Sequence, residues 1–99
     1  MRVRLDLNNP EFQKQWFDLE KEEQLAVLQC CEKLVSLDWA ALYRDKGLRW
    51  EVIHSRTCRG AERVYSIRIT KKMRAVVKRT GDYIEFLTLH SDHDSAYKS

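Results

Sequence analysis

A chain of 99 residues, 43% apolar and 33% charged, fits one domain (residues 1–99) with a single two-layer core and excludes a disordered polyelectrolyte. No apolar run approaches the roughly 20 residues of a membrane helix, and no basic-then-apolar leader precedes the first element, so a cytoplasmic protein free of the membrane is expected. The net charge of +3 is unevenly spread: residues 1–45 carry 6 Lys/Arg against 9 Asp/Glu, residues 46–90 carry 11 against 4, and residues 91–99 carry 1 against 2.

Met1 to Asn8 alternates Val3, Leu5 and Leu7 with charged residues and predicts a strand. Asn9-Pro10-Glu11 then announces a helix: Asn caps, Pro suits the first turn and Glu complements the dipole. Phe12, Trp16 and Leu19 follow at helical spacing, and the charged run Glu20 to Glu23 marks a break before a second helix. There Leu25, Leu28, Cys31 or Glu32, and Val35 form a stripe, widened by Val27 and Leu34. It reads as the core face, with a groove for a partner helix as the alternative use. Asp38 caps a short turn from Trp39 to Arg44, and Gly47 ends the helical half.

Leu48 to Ile53 predicts a strand, and Ser55 to Glu62 an exposed loop carrying Arg56 and Arg59. Arg63 to Arg79 is the organising stretch, two alternating runs around Lys71-Lys72. Its register decides where the cations go, because opposed residues of an antiparallel pair share a face. An odd turn, Lys71-Lys72-Met73, puts Tyr65, Ile67, Ile69, Ala75 and Val77 on one apolar face. Ser66, Arg68, Arg74 and Lys78 then share the other with Val64 and Val76. An even turn mixes both faces, so the apolar pattern selects the odd one. After the Gly81-Asp82 turn signal, Tyr83 to His90 is the last strand; a three-residue turn pairs Arg74 with His90, whereas a two-residue turn puts His90 on the opposite face.

The predicted architecture is α+β: an N-terminal strand, then two helices on one face of a mainly antiparallel sheet of four to five strands. Cations gathered on its strands suit a polyanion. Cys30, Cys31 and Cys58 offer neither a disulfide framework nor paired ligand spacing and read as inert thiols. His90, Asp92, His93 and Asp94 crowd one segment without a separate anchor, so neither metal nor cofactor is expected.

Tyr65-Ser66-Ile67-Arg68-Ile69, Arg74 a turn later, and the terminal His93-Asp94-Ser95-Ala96-Tyr97 together give the chain its likeness to known proteins. In their order and spacing it resembles the RelE/ParE superfamily of bacterial toxins from toxin–antitoxin pairs. The resemblance covers most of the chain and implies a RelE-like microbial ribonuclease fold. It implies either a messenger-RNA endonuclease acting on the ribosome or, in the ParE branch, a gyrase poison, with an antitoxin as partner in both. A non-catalytic RNA-binding module on the same fold is a third reading.

Metal-free RNA cleavage by the neighbouring 2′-hydroxyl needs a base, a cation for the charge on phosphorus, and an acid for the leaving oxygen. Arg68 and Arg74 suit charge stabilisation. His90 or His93 suits proton transfer, with Glu51 as an alternative base. Tyr97 orients, donates a proton or stacks on a base. Arg56, Lys71, Lys72 and Lys78 suit the RNA backbone. Each has a structural alternative: Arg68 pairs with Glu51 or Glu85, His90 ends a strand, His93 caps the tail, and Tyr97 pins the terminus.

Overall fold

A computed structural model describes the backbone of residues 2–57 and 63–91, with side chains described for 2–53 and 63–91. The chain is α+β, with three helices and one five-stranded mixed sheet. In order it runs β1 (Arg4–Asp6), α1 (Pro10–Asp18), α2 (Lys21–Val35), α3 (Trp39–Arg44), β2 (Glu51–Thr57), β3 (Arg63–Arg68), β4 (Arg74–Thr80) and β5 (Tyr83–His90). Across the sheet the order is β1-β5-β4-β3-β2; β1 lies parallel to β5 and every other neighbouring pair is antiparallel.

The helix starts follow local chemistry. Asn9 Oδ1 accepts from the amides of Glu11 (2.9 Å) and Phe12 (3.2 Å), with Pro10 opening α1. A cap of this type contributes about 1 kcal/mol. Asp38 Oδ1 accepts from the Ala41 amide at 2.7 Å and starts α3 where a short turn was expected. Between α1 and α2 the Gln24 amide donates to Phe17 O at 2.9 Å, while Trp16 Nε1 donates to Gln24 O at 3.2 Å. The bond to Phe17 O satisfies a carbonyl that the end of α1 leaves open.

The helices cover one face of the sheet. Phe12, fully buried, meets Phe86 with ring centroids 5.1 Å apart. Val27, Cys30, Cys31 and Leu34 of α2 join Ile67, Ala75, Val77, Ile84 and Leu89 in the same core. Their i, i+3, i+4, i+7 spacing makes this the core stripe of α2. The expected stripe is therefore corrected: Leu25, Leu28 and Val35 are about half exposed, while Val27 and Leu34, read as its margin, lie at the centre. Both stripes are apolar at helical spacing, and only the position of the sheet chooses between them.

Strand β2 begins later than expected. Asp45 Oδ1 accepts from the amides of Gly47 and Leu48, at 2.9 and 3.0 Å, and holds a turn, while Arg49 takes a positive φ of 51°. A left-handed residue cannot sit inside a strand. The strand consequently starts at Glu51 and continues to Thr57, into the segment expected to be a loop.

Asp45 also binds Lys33 Nζ at 3.0 Å. Partial burial pushes its carboxyl up, but the Lys33 hydrogen bond, the Leu48 amide, the Lys33 charge and the Gly47 amide together hold it below the usual carboxylate range. A pKa lower in the folded than in the unfolded chain gives stability that is complete above the unfolded value, about 3.9, and is lost as pH falls through the folded one. Asp45→Ala is expected to cost about 1 kcal/mol at neutral pH. In urea unfolding, the gap between the two chains should narrow toward about pH 3; a gap that does not change with pH contradicts the linkage.

Candidate functional site

The face without helices carries the cations. Among the described residues, its apolar cluster is Ile53, Val64 and Val76 with Leu87 alongside, all from strands. The β3–β4 register is Tyr65↔Val77, Ser66↔Val76, Ile67↔Ala75 and Arg68↔Arg74. The loop is longer than the expected three residues and runs from Ile69 to Met73. Its parity is the expected one, so the division into an apolar and a cationic face stands. Thr70 Oγ1 closes the loop by accepting from the amides of Lys72 (3.2 Å) and Met73 (3.0 Å).

Arg74 pairs in register with His90, as the odd spacing required, but by a different route. The turn is the two-residue Gly81-Asp82, with Gly81 at φ 60° and Thr80 opposite Tyr83. A two-residue turn alone turns His90 to the helical face. A β-bulge corrects it: Val77 faces Phe86 and Val76 faces Thr88, so Leu87 is the extra residue. Below the bulge Ile84 and Phe86 point into the main core; above it Thr88 and His90 join the cationic face.

Arg68, Arg74 and His90 thereby stand in one row across three adjacent strands. Two arginines directly opposite one another repel, and their environments differ. Arg74 is 3% exposed. Its Nη2 donates to Ser66 Oγ at 3.0 Å on β3, to Glu51 Oε1 at 3.1 Å on β2, and at 3.4 Å to Arg49 O. The carboxylate partner that sequence reading offered to Arg68 thus belongs to Arg74. Arg74 Nε is buried and has no hydrogen-bond partner among the described residues.

Arg68 is half-buried at the end of β3, where its amide donates to Leu48 O at 2.7 Å. It borders a cleft of about 250 Å³ shared with Gln29 and Lys33 of α2. His90 is half-buried and its Nε2 lies 2.9 Å from Thr88 Oγ1. Glu51, its side chain 52% exposed, presents a carboxylate oriented by Arg74. Lys71 and Lys72 project from the β3–β4 loop as exposed cations, and Lys78 lies 3.6 Å from Glu85. The side chain of Arg56, and all of His93 and Tyr97, fall outside the described residues.

The row holds the parts that phosphodiester chemistry uses. Arg68 is a reachable cation, His90 a titratable ring, and Glu51 a half-exposed carboxylate. Arg74 is a buried positive charge that sets the field and orients Glu51 from beneath. Sequence reading missed this division of labour between the arginines. Ser66, the small hydroxyl on the strand between Arg74 and Glu51, was the available signal. Among the described residues, no group of three or more His, Cys, Asp or Glu is placed to hold a metal, and no helix is long and apolar enough to cross a membrane.

The cysteines of α2 lie on the opposite side. Burial first, then Cys31, pushes the Cys30 thiol up to about 12; burial and Glu32 push Cys31 up to about 11. Thiols of this kind carry almost no thiolate at neutral pH. Neither should be alkylated by iodoacetamide in the folded chain, and both should react after unfolding, as read by peptide mass mapping.

No family model, curated protein or solved structure matches this chain.

Truncation of Arg74 leaves a cavity and removes one partner from each of Glu51 and Ser66. Arg74→Ala is expected to cost about 2–4 kcal/mol of unfolding free energy. Arg74→Met, which keeps the aliphatic bulk and removes the charge, should cost clearly less. Equal losses in denaturant titrations rule out the packing role.

Proposed function

We propose that the chain is the toxin of a toxin–antitoxin pair, a metal-independent endoribonuclease that cuts messenger RNA on the ribosome. The observation that carries this reading is the register that sets Arg68, Arg74 and His90 in one row across three adjacent strands. The order of one strand, three helices and a four-stranded meander supports a RelE-like ribonuclease fold, which forms part of the proposal.

The chemistry follows from the row. The 2′-hydroxyl attacks the adjacent phosphorus, the 5′-oxygen leaves, and a 2′,3′-cyclic phosphate remains. Arg68 binds the phosphoryl oxygens as charge builds on them, with Arg74 adding field from below. His90 and Glu51 are proposed to move the two protons. Lys71 and Lys72 hold the flanking backbone, a role the proposal also gives to Lys78 and Arg56; acid–base and stacking roles are proposed for His93 and Tyr97 on sequence grounds. The antitoxin would be a protein with an acidic or amphipathic helix that covers this face.

The burial of Arg74 favours a second reading, a non-catalytic RNA-binding module, because an arginine held by Glu51 and Ser66 does not itself reach phosphate. The two separate on one experiment. Purified protein is incubated with messenger RNA, alone and in a translating extract, with chelator present. Cleavage to cyclic-phosphate and 5′-hydroxyl ends is expected. Arg68→Ala and His90→Gln should each slow it by roughly 10²-fold or more, with the unfolding midpoint near that of the parent. Binding without cleavage selects the second reading. Inhibition of gyrase supercoiling with RNA left intact selects a ParE-like gyrase poison.

A further inference from the structure

Helix α2 carries two apolar stripes and the core uses one. The other consists of Leu25, Leu28 and Val35, exposed by 51%, 45% and 44%, beside Phe17 of α1 at 65%. Between the helices lies a groove of about 390 Å³, walled by Trp16, Phe17, Gln24, Leu25 and Leu28. The Trp16–Gln24 and Gln24–Phe17 hydrogen bonds hold it open in a fixed shape. Apolar exposure this continuous marks a contact surface.

The charges on the stripe say what the contact is. Lys21 lies four residues before Leu25, and Glu32 four residues after Leu28. At about 100° per residue, Lys21, Leu25, Leu28 and Glu32 fall within about 60° of one another on the helix. All four are exposed, and among the described residues neither Lys21 nor Glu32 forms an ion pair. The series is complementary to itself reversed. A second α2 laid antiparallel brings its Glu32 to Lys21 and its Leu28 to Leu25, with the reciprocal pair of each, and sets its Val35 beside Phe17. Mixed charge balanced in this way does not suit an anionic membrane, which calls for a uniformly basic rim.

We propose that this face joins two copies of the chain in a two-fold dimer, α2 against α2, with leucines at the centre and a Lys21–Glu32 pair at each end. A contact of this kind closes on itself and leaves the same face of both copies used. The stripe from Lys21 to Glu32 is only about 17 Å long, so the interface is small and the dimer depends on concentration.

Sedimentation equilibrium of the full chain, from about 1 µM to about 1 mM, tests it. A monomer–dimer equilibrium is expected. Lys21→Glu and Glu32→Lys should each raise Kd about tenfold or more, because the two-fold axis doubles every repulsion. Leu28→Asp should be monomeric throughout, with an unchanged circular dichroism spectrum. The double variant Lys21→Glu/Glu32→Lys restores both pairs with signs reversed and should return to within about threefold of the parent. A parent that stays monomeric overturns the proposal. So does a double variant as weak as the single ones, or a dimer that survives Leu28→Asp.

Discussion

The uncovered face depends on one buried guanidinium. Arg74 leaves β4, passes Ser66 on β3 and ends at Glu51 on β2, tying three strands with a single side chain. A charge that is 3% exposed is tolerated only with hydrogen-bonded partners, and Glu51, half in water, supplies a carboxylate without a second full desolvation. The Glu51 carboxylate sets an opposite charge beside a guanidinium that faces the like-charged Arg68 in register. One side chain thus links the far edge of the sheet to its centre and holds a half-exposed carboxylate in place.

The bulge at Leu87 is the second constraint. A two-residue turn suits Gly81-Asp82, but the parity it imposes fits only the lower half of β5. One extra residue changes parity midway, so Phe86 fills the core against Phe12 while Thr88 and His90 emerge beside the arginines. The top of β5 then outruns β1, which pairs only as far as Glu85, and the Leu89 amide donates to Gln15 Oε1 of α1 at 2.7 Å. The helix that caps the core thereby also completes the edge from which His90 projects.

The two surfaces of the domain are chemically distinct. The strand face carries the row of Arg68, Arg74 and His90; the outer face of α1 and α2 is apolar. The proposed contact with RNA and the proposed self-association therefore use different surfaces of the domain.

Sequence reading went far wherever the chemistry was local. Asn9 announced a helix start, Asp38 a capped turn that proves to be a short helix, alternation announced strands, and the apolar parity of Tyr65, Ile67, Ala75 and Val77 sorted the β3–β4 pair into two faces. It went wrong where two solutions had the same local pattern. On α2, Leu25-Leu28-Val35 and Val27-Cys30-Cys31-Leu34 are both helical stripes, and no property of the helix ranks them. At Leu48 an alternating run concealed a turn, because an Asp45 side chain bonding two amides leaves no periodic trace. Amino-acid order alone therefore determined most of the elements, the two faces of the β3–β4 pair and the basic character of those two strands, all effects of neighbours within a few residues. Tertiary structure alone decided which stripe of α2 is buried, which arginine takes Glu51, and how a bulge delivers His90 to the row, because each is settled by partners on another strand or helix, whose approach only the packed sheet fixes.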